Sequence, residues 1–183
     1  AMLLYHLMAD EGVLPNKVIP QVPQNLMQGE DQSIPRICVG QSLDDCLTGI
    51  TVTGITIPFL LAEVKRAGAK QAWKKDFQFP FIIRTYCAEC NNSAFFDERK
   101  VSHYVWDAEI THECWLTEYS EPLRIEKRWL TDATIEKRRF PHDGEWWNYP
   151  IISNSVWSDT PAYPNPAFQE KILFLTKKWL EQN

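Results

Sequence analysis

The chain has 183 residues, long enough for one domain whose core buries about 70% of the unfolded surface without a disulfide or metal staple. Apolar residues at 44% and eight tryptophans exclude a disordered chain. A net charge of −5 gives no footprint for duplex DNA or an anionic membrane, and no apolar run reaches the roughly 18 residues of a membrane span. Basic patches at Lys65-Arg66, Lys74-Lys75 and Glu136–Arg139 read as solvated faces. No basic-then-apolar leader opens the sequence, and five cysteines, an odd number, point to a reducing cytoplasm.

In chain order, Met2–Met8 is a short apolar strand carrying Tyr5 and His6. Residues 9–35 read as irregular, broken by Pro15, Pro20, Pro23 and Pro35 and supplied with turn chemistry by Asn16, Asn25, Gly29 and Asp31. Arg36–Val39 predicts a strand, and Gly40-Gln41 a turn. Ser42 then caps a helix whose first turn holds Asp44 and Asp45, with Leu43, Cys46, Leu47 and Ile50 on one face. Pro58 is expected to open a second helical run through Val64 towards Ala72. Phe79–Tyr86 is aromatic and β-branched, and reads as a strand. Val101–Trp106, Cys114–Tyr119, Leu123–Leu130 and Thr134–Arg139 continue as strands, with a bulge or an edge expected near Arg124–Leu130. Residues 140–166 combine aromatics with five prolines and are expected to wrap the domain, as a hydrophobic clasp over the core unaccompanied by a basic groove. Asn165-Pro166 starts a final helix packed through Phe168, Ile172, Leu175 and Leu180.

These elements sum to an α+β fold with a split, twisted, mostly antiparallel sheet, few helices and a helix at the C-terminus. The organisation expected is a core over 2–139 and an aromatic- and Pro-rich extension over 140–183.

Three segments set polar groups beside strand-like apolar runs: Leu4-Tyr5-His6, Ile34–Ile50 and Asp107–Trp115. A strand with a Tyr-His pair, a strand running through Cys38-Val39 into a Ser42-capped helix, and a late Glu113 within Ile110-Thr-His-Glu-Cys-Trp115 together resemble ADP-ribosyltransferase-like domains of the diphtheria-toxin-like type, including small bacterial and phage forms. The resemblance spans residues 2–119. It implies an NAD-binding cleft and transfer of ADP-ribose to a macromolecular acceptor. Tyr5, His6, Arg36 and Ser42 are then the nucleotide contacts. Glu113 bonds the nicotinamide ribose and stabilises an oxocarbenium-like transition state. Where such domains carry an aromatic beside the nicotinamide, this chain has Cys38-Val39-Gly40.

Each candidate also has a structural reading. His6 is equally a histidine of a packed strand. Arg36 stands level between a phosphate and an ion pair with Glu30 or Asp31. Ser42 is first of all a helix cap. Glu118, five residues beyond Glu113, faces the other side of a regular strand and is held in reserve. Cys87-Ala-Glu-Cys90 with His112 and Cys114 has donors for zinc, but free cysteines are the expectation and zinc is not. The alternative function is a catalytically inactive interaction protein, a phage or mobile-element factor that binds and blocks a host protein.

Overall fold

The computed structural model describes residues 2–10, 12, 15–23 and 29–182, without side-chain detail for 50–59, 61, 62, 179 and 182. The turn residue Asn25 and the helix-face side chain of Ile50 therefore lie outside what is described. The elements are β1 (Leu3–Ala9), β2 (Ile37–Val39), α1 (Leu43–Ala67), α2 (Ala69–Ala72), β3 (Pro80–Cys87), β4 (Phe95–Phe96), α3 (Glu98–Val101), α4 (Ala108–Thr111), β5 (Cys114–Leu116), β6 (Arg124–His142), β7 (Glu145–Ser158) and α5 (Pro166–Gln182), with a 3-10 turn over Glu89–Ala94. The fold is α+β. One sheet has the antiparallel order β1-β3-β6-β7, and a smaller one the order β2-β5-β4. Among the described residues, no helix is long and apolar enough to cross a membrane.

Two compact units interleave along the chain. Unit 1 comprises Ala1–Leu7, Val13–Gly49 and Ile83–Glu126; unit 2 comprises Met8–Gly12, Ile50–Ile82 and Lys127–Asn183. In unit 1 the small sheet is set by register: Cys38 lies opposite Trp115, and Val39 opposite Cys114, while Phe96 pairs with Trp115 from the other side. Side chains alternate across a strand, so Ile37, Val39, Cys114 and Leu116 bury one face against Leu4 and Tyr86. Trp115 turns to the opposite face, where it packs with Val101, Val105 and Ala108. Unit 2 is held by edge-on aromatic pairs, Phe79 with Phe168 at 6.1 Å and Phe81 with Trp157 at 5.6 Å, and by buried Leu130, Ile135, Ile152 and Ile172.

Four expectations are corrected. The helix from Leu43 does not stop before Pro58: one helix runs to Ala67. An interior proline costs a helix one backbone hydrogen bond and about 3 kcal/mol, yet α1 continues through position 58. Val101–Trp106 is not a strand but the end of α3 and the turn after it, because the Asp97 carboxylate caps the helix by accepting from the Lys100 N–H at 2.9 Å. Leu123–Leu130 and Thr134–Arg139 are one strand, irregular between Leu130 and Thr134. Residues 145–158 are β7, not a wrapping loop, paired with β6 from Trp129↔Ser158 to His142↔Glu145.

That last pairing turns on Asp143 and Gly144, both left-handed at φ 54° and 77°, as a two-residue hairpin with a right-handed twist requires. A Cβ at Gly144 meets no neighbour, so Gly144→Ala tests backbone strain alone. The expected outcome is a loss of about 1 kcal/mol in chemical denaturation, with near-native circular dichroism.

Candidate functional site

All five candidate residues fall in unit 1. Tyr5 and Gly40 exchange backbone hydrogen bonds of 2.8 and 2.9 Å, so β1 lies against the end of β2. Because β2 in turn pairs with β5, the three segments singled out in the sequence come side by side. Ser42 does what its position predicts: its Oγ accepts from the Asp45 N–H at 3.0 Å, opening α1. Gly40 must remain small there, since an added Cβ would lie 3.0 Å from the Cys46 Sγ.

Alternation sorts the side chains by face. Tyr5 opposes Gly40 and so shares a side with Arg36, Cys38, Glu113 and Trp115. His6 points the other way, towards Arg84 on β3. Its Nδ1 is buried without a hydrogen-bond partner, and burial, followed by the Arg84 charge, lowers its pKa to about 4. A regular β1 therefore does not offer Tyr5 and His6 to one cleft.

Arg36 takes the ion-pair reading. Its fully buried guanidinium donates to Glu30 Oε1 at 2.9 Å and to the carbonyls of Asp31 and Ile34 at 2.9 and 3.1 Å. It lies 4.2 Å from the centroid of the Trp115 ring. Trp115 itself has no exposed surface, so it cannot serve as the stacking aromatic missing at Cys38-Val39-Gly40.

Glu113 stands just before β5, where His112 adopts a left-handed φ of 59° and turns the chain. One carboxylate oxygen accepts from the Trp115 indole Nε1 at 2.9 Å, and the Cys38 thiol bonds to the same carboxylate. Desolvation raises the Glu113 pKa above its ordinary value against those two hydrogen bonds, helped by the charges of Glu30 and Asp107. Desolvation and the Glu113 carboxylate push the Cys38 thiol well above its usual value. The direct contact with Glu113 is the firmer cause, because Cys38 as a residue is open to solvent.

The cysteine pair of Cys87-Ala-Glu-Cys90 is a disulfide, which corrects the expectation of free thiols there; Cys38, Cys46 and Cys114 are the free ones. His112 Nδ1 instead meets Glu98 at 3.0 Å. Among the described residues, no group of three or more His, Cys, Asp or Glu is placed to hold a metal.

The sequence reading missed a cleft of about 90 Å3 lined by Lys17, Arg84, Tyr86, Tyr119 and Glu121, among others. Arg84 is 3% exposed; one terminal nitrogen meets the Pro15 carbonyl at 3.3 Å, and the other is buried without a partner. Lys17 lies 5.2 Å from the Tyr119 ring centroid. The only signal for this cleft was a lone arginine in an otherwise apolar strand.

No protein-family model matches the chain, and no curated protein or solved structure does either.

Two outcomes follow from this geometry. Arg36→Ala strands two partly buried carboxylates and is expected to lower stability by about 3 kcal/mol in urea denaturation. His6 has a folded pKa of about 4 against 6.5 unfolded, so the unfolded chain binds a proton that the folded chain refuses. Its contribution is complete above pH 6.5 and is lost as pH falls towards 4, a loss of about 3 kcal/mol at most. Across that range the parent is expected to lose stability relative to His6→Asn, which lacks this titration, as read from unfolding curves at each pH.

Proposed function

We propose that unit 1 binds NAD or another ADP-ribose-type nucleotide and transfers ADP-ribose to a macromolecular acceptor, with Glu113 as the catalytic residue. The observation that carries this reading is the adjacency of β1, β2 and β5, with the Glu113 carboxylate fixed by the Trp115 indole on the face that Tyr5 shares. A carboxylate that is anchored through one oxygen and partly desolvated is suited to bond ribose hydroxyls and to face positive charge developing on the sugar.

In this reaction the bond between ribose C1′ and the nicotinamide nitrogen breaks, and nicotinamide leaves with the bonding pair. The ribose passes through an oxocarbenium-like state beside ionised Glu113. A nucleophile of the acceptor then forms the new bond at C1′ and gives up its proton to solvent. Arg36 is engaged by Glu30, so its guanidinium is not free for a diphosphate. Because burial raises the Glu113 pKa, the acid limb of the rate profile is expected above 4.5.

A second reading, a non-catalytic interaction protein, is favoured by the engagement of Arg36 inside the protein and by the absence of a free aromatic on β2. Calorimetric titration with NAD separates the two. The catalytic reading expects binding in the micromolar range. It also expects Glu113→Gln to retain that binding while slowing nicotinamide release on the order of 100-fold. The absence of heat at millimolar NAD, or release unchanged in Glu113→Gln, would remove it in favour of partner binding.

A further inference from the structure

The basic run Lys137-Arg138-Arg139 and the aromatic run Trp146-Trp147-Asn148-Tyr149, unrelated in the sequence, are cross-strand neighbours in the β6–β7 hairpin. From Thr134↔Ser153 to His142↔Glu145 the register is unbroken, so alternation assigns the faces. One face carries Arg138, Phe140, Trp147 and Tyr149. Phe140 packs edge-on against Tyr149 at 5.9 Å, Tyr149 is 6% exposed, and Arg138 is tied to Glu136 at 2.9 Å. The other face presents Lys137, Arg139, Trp146 and Asn148, all exposed, with Trp146 at 61%. No carboxylate shares it between Ile135↔Ile152 and Pro141↔Trp146.

We propose that this face of the hairpin binds single-stranded nucleic acid. The Arg139 guanidinium lies 4.9 Å from the Trp146 ring centroid, so cation and indole form a single platform. An exposed indole beside a guanidinium offers a base both stacking and cation–π attraction. Lys137 and Arg139 alternate along one strand about 7 Å apart, able to follow successive phosphates of an extended backbone. Asn148, opposite Arg139, adds an amide that both donates and accepts. The net charge of the chain does not oppose this: the acidic excess sits in unit 1, whereas unit 2, which holds the hairpin, has more basic than acidic residues. Two cations are few for a duplex, and an indole that is 61% exposed is better matched to unstacked bases than to a phosphate ladder. The inference stands whether or not unit 1 binds NAD.

The test is fluorescence anisotropy of a labelled oligothymidylate of roughly 20 nucleotides at low salt, with polyglutamate as competitor. Saturable binding is expected, weakened on the order of tenfold by Trp146→Ala and largely retained in Trp146→Phe. Replacing Lys137 and Arg139 together by Gln is expected to weaken binding and to flatten the log–log salt dependence by roughly 1.4. No saturable binding overturns the proposal. So does binding indifferent to Trp146→Ala, or equal displacement by polyglutamate, which would make the face a site for acidic peptides. Should Trp146→Ala fail to fold, comparison of Trp146→Phe with Trp146→Leu decides the same question.

Discussion

Unit 1 is organised around one indole. Trp115 is sealed from solvent, with the Arg36 guanidinium 4.2 Å from its ring centroid and the Phe96 and Tyr104 rings at 6.2 and 5.8 Å. Desolvated, the cation–π contact alone contributes about 2 kcal/mol, and truncating a buried tryptophan typically costs about 3–5 kcal/mol. The ring also fixes chemistry at its edge, since its N–H holds Glu113 and its strand register sets Cys38 opposite. Arg36 in turn orders Glu30, Asp31 and the backbone of Ile34, so a stretch rich in turn residues gains a defined path into β2. Moving this ring would disturb the entry to the small sheet and the candidate carboxylate together.

Features encoded by neighbouring residues could be read from the sequence. β1, β2, β3 and α5 stand close to where apolar patterning put them, and the Ser42 cap is a local interaction between residues three apart. What was not legible depends on partners distant in sequence. Residues 140–158 looked like a loop because Pro141 and Pro150 interrupt any propensity for strand. Residues 140–142 end β6 and 145–158 form β7, because the Asp143-Gly144 turn folds the chain back, and Pro150 opposite Lys137 is accommodated in that ladder. Val101–Trp106 has the composition of a strand, yet Tyr104 and Val105 are drawn under Trp115, and a short capped helix delivers them there.

The candidate site divides in the same way. That Tyr5, Cys38 and Glu113 belong to neighbouring strands was foreshadowed by their apolar surroundings. The facing of each side chain was not, because it depends on register across strands. His6 and Tyr5 are adjacent in sequence and serve opposite faces; Arg36 is bound by acids five and six residues before it. The Arg84 cleft escaped notice because its lining comes from three separated stretches of the chain.

The free cysteines have a chemical consequence of their own. Burial holds Cys46 at a pKa of about 12 and Cys114 at about 11, and Cys38 sits against a carboxylate, while Cys87 and Cys90 are joined. At neutral pH the folded chain therefore presents almost no thiolate, the form that attacks electrophiles. Alkylating reagents should spare Cys46 and Cys114 in the native protein and mark them in chains that have opened, which makes these two sulfurs reporters of unfolding.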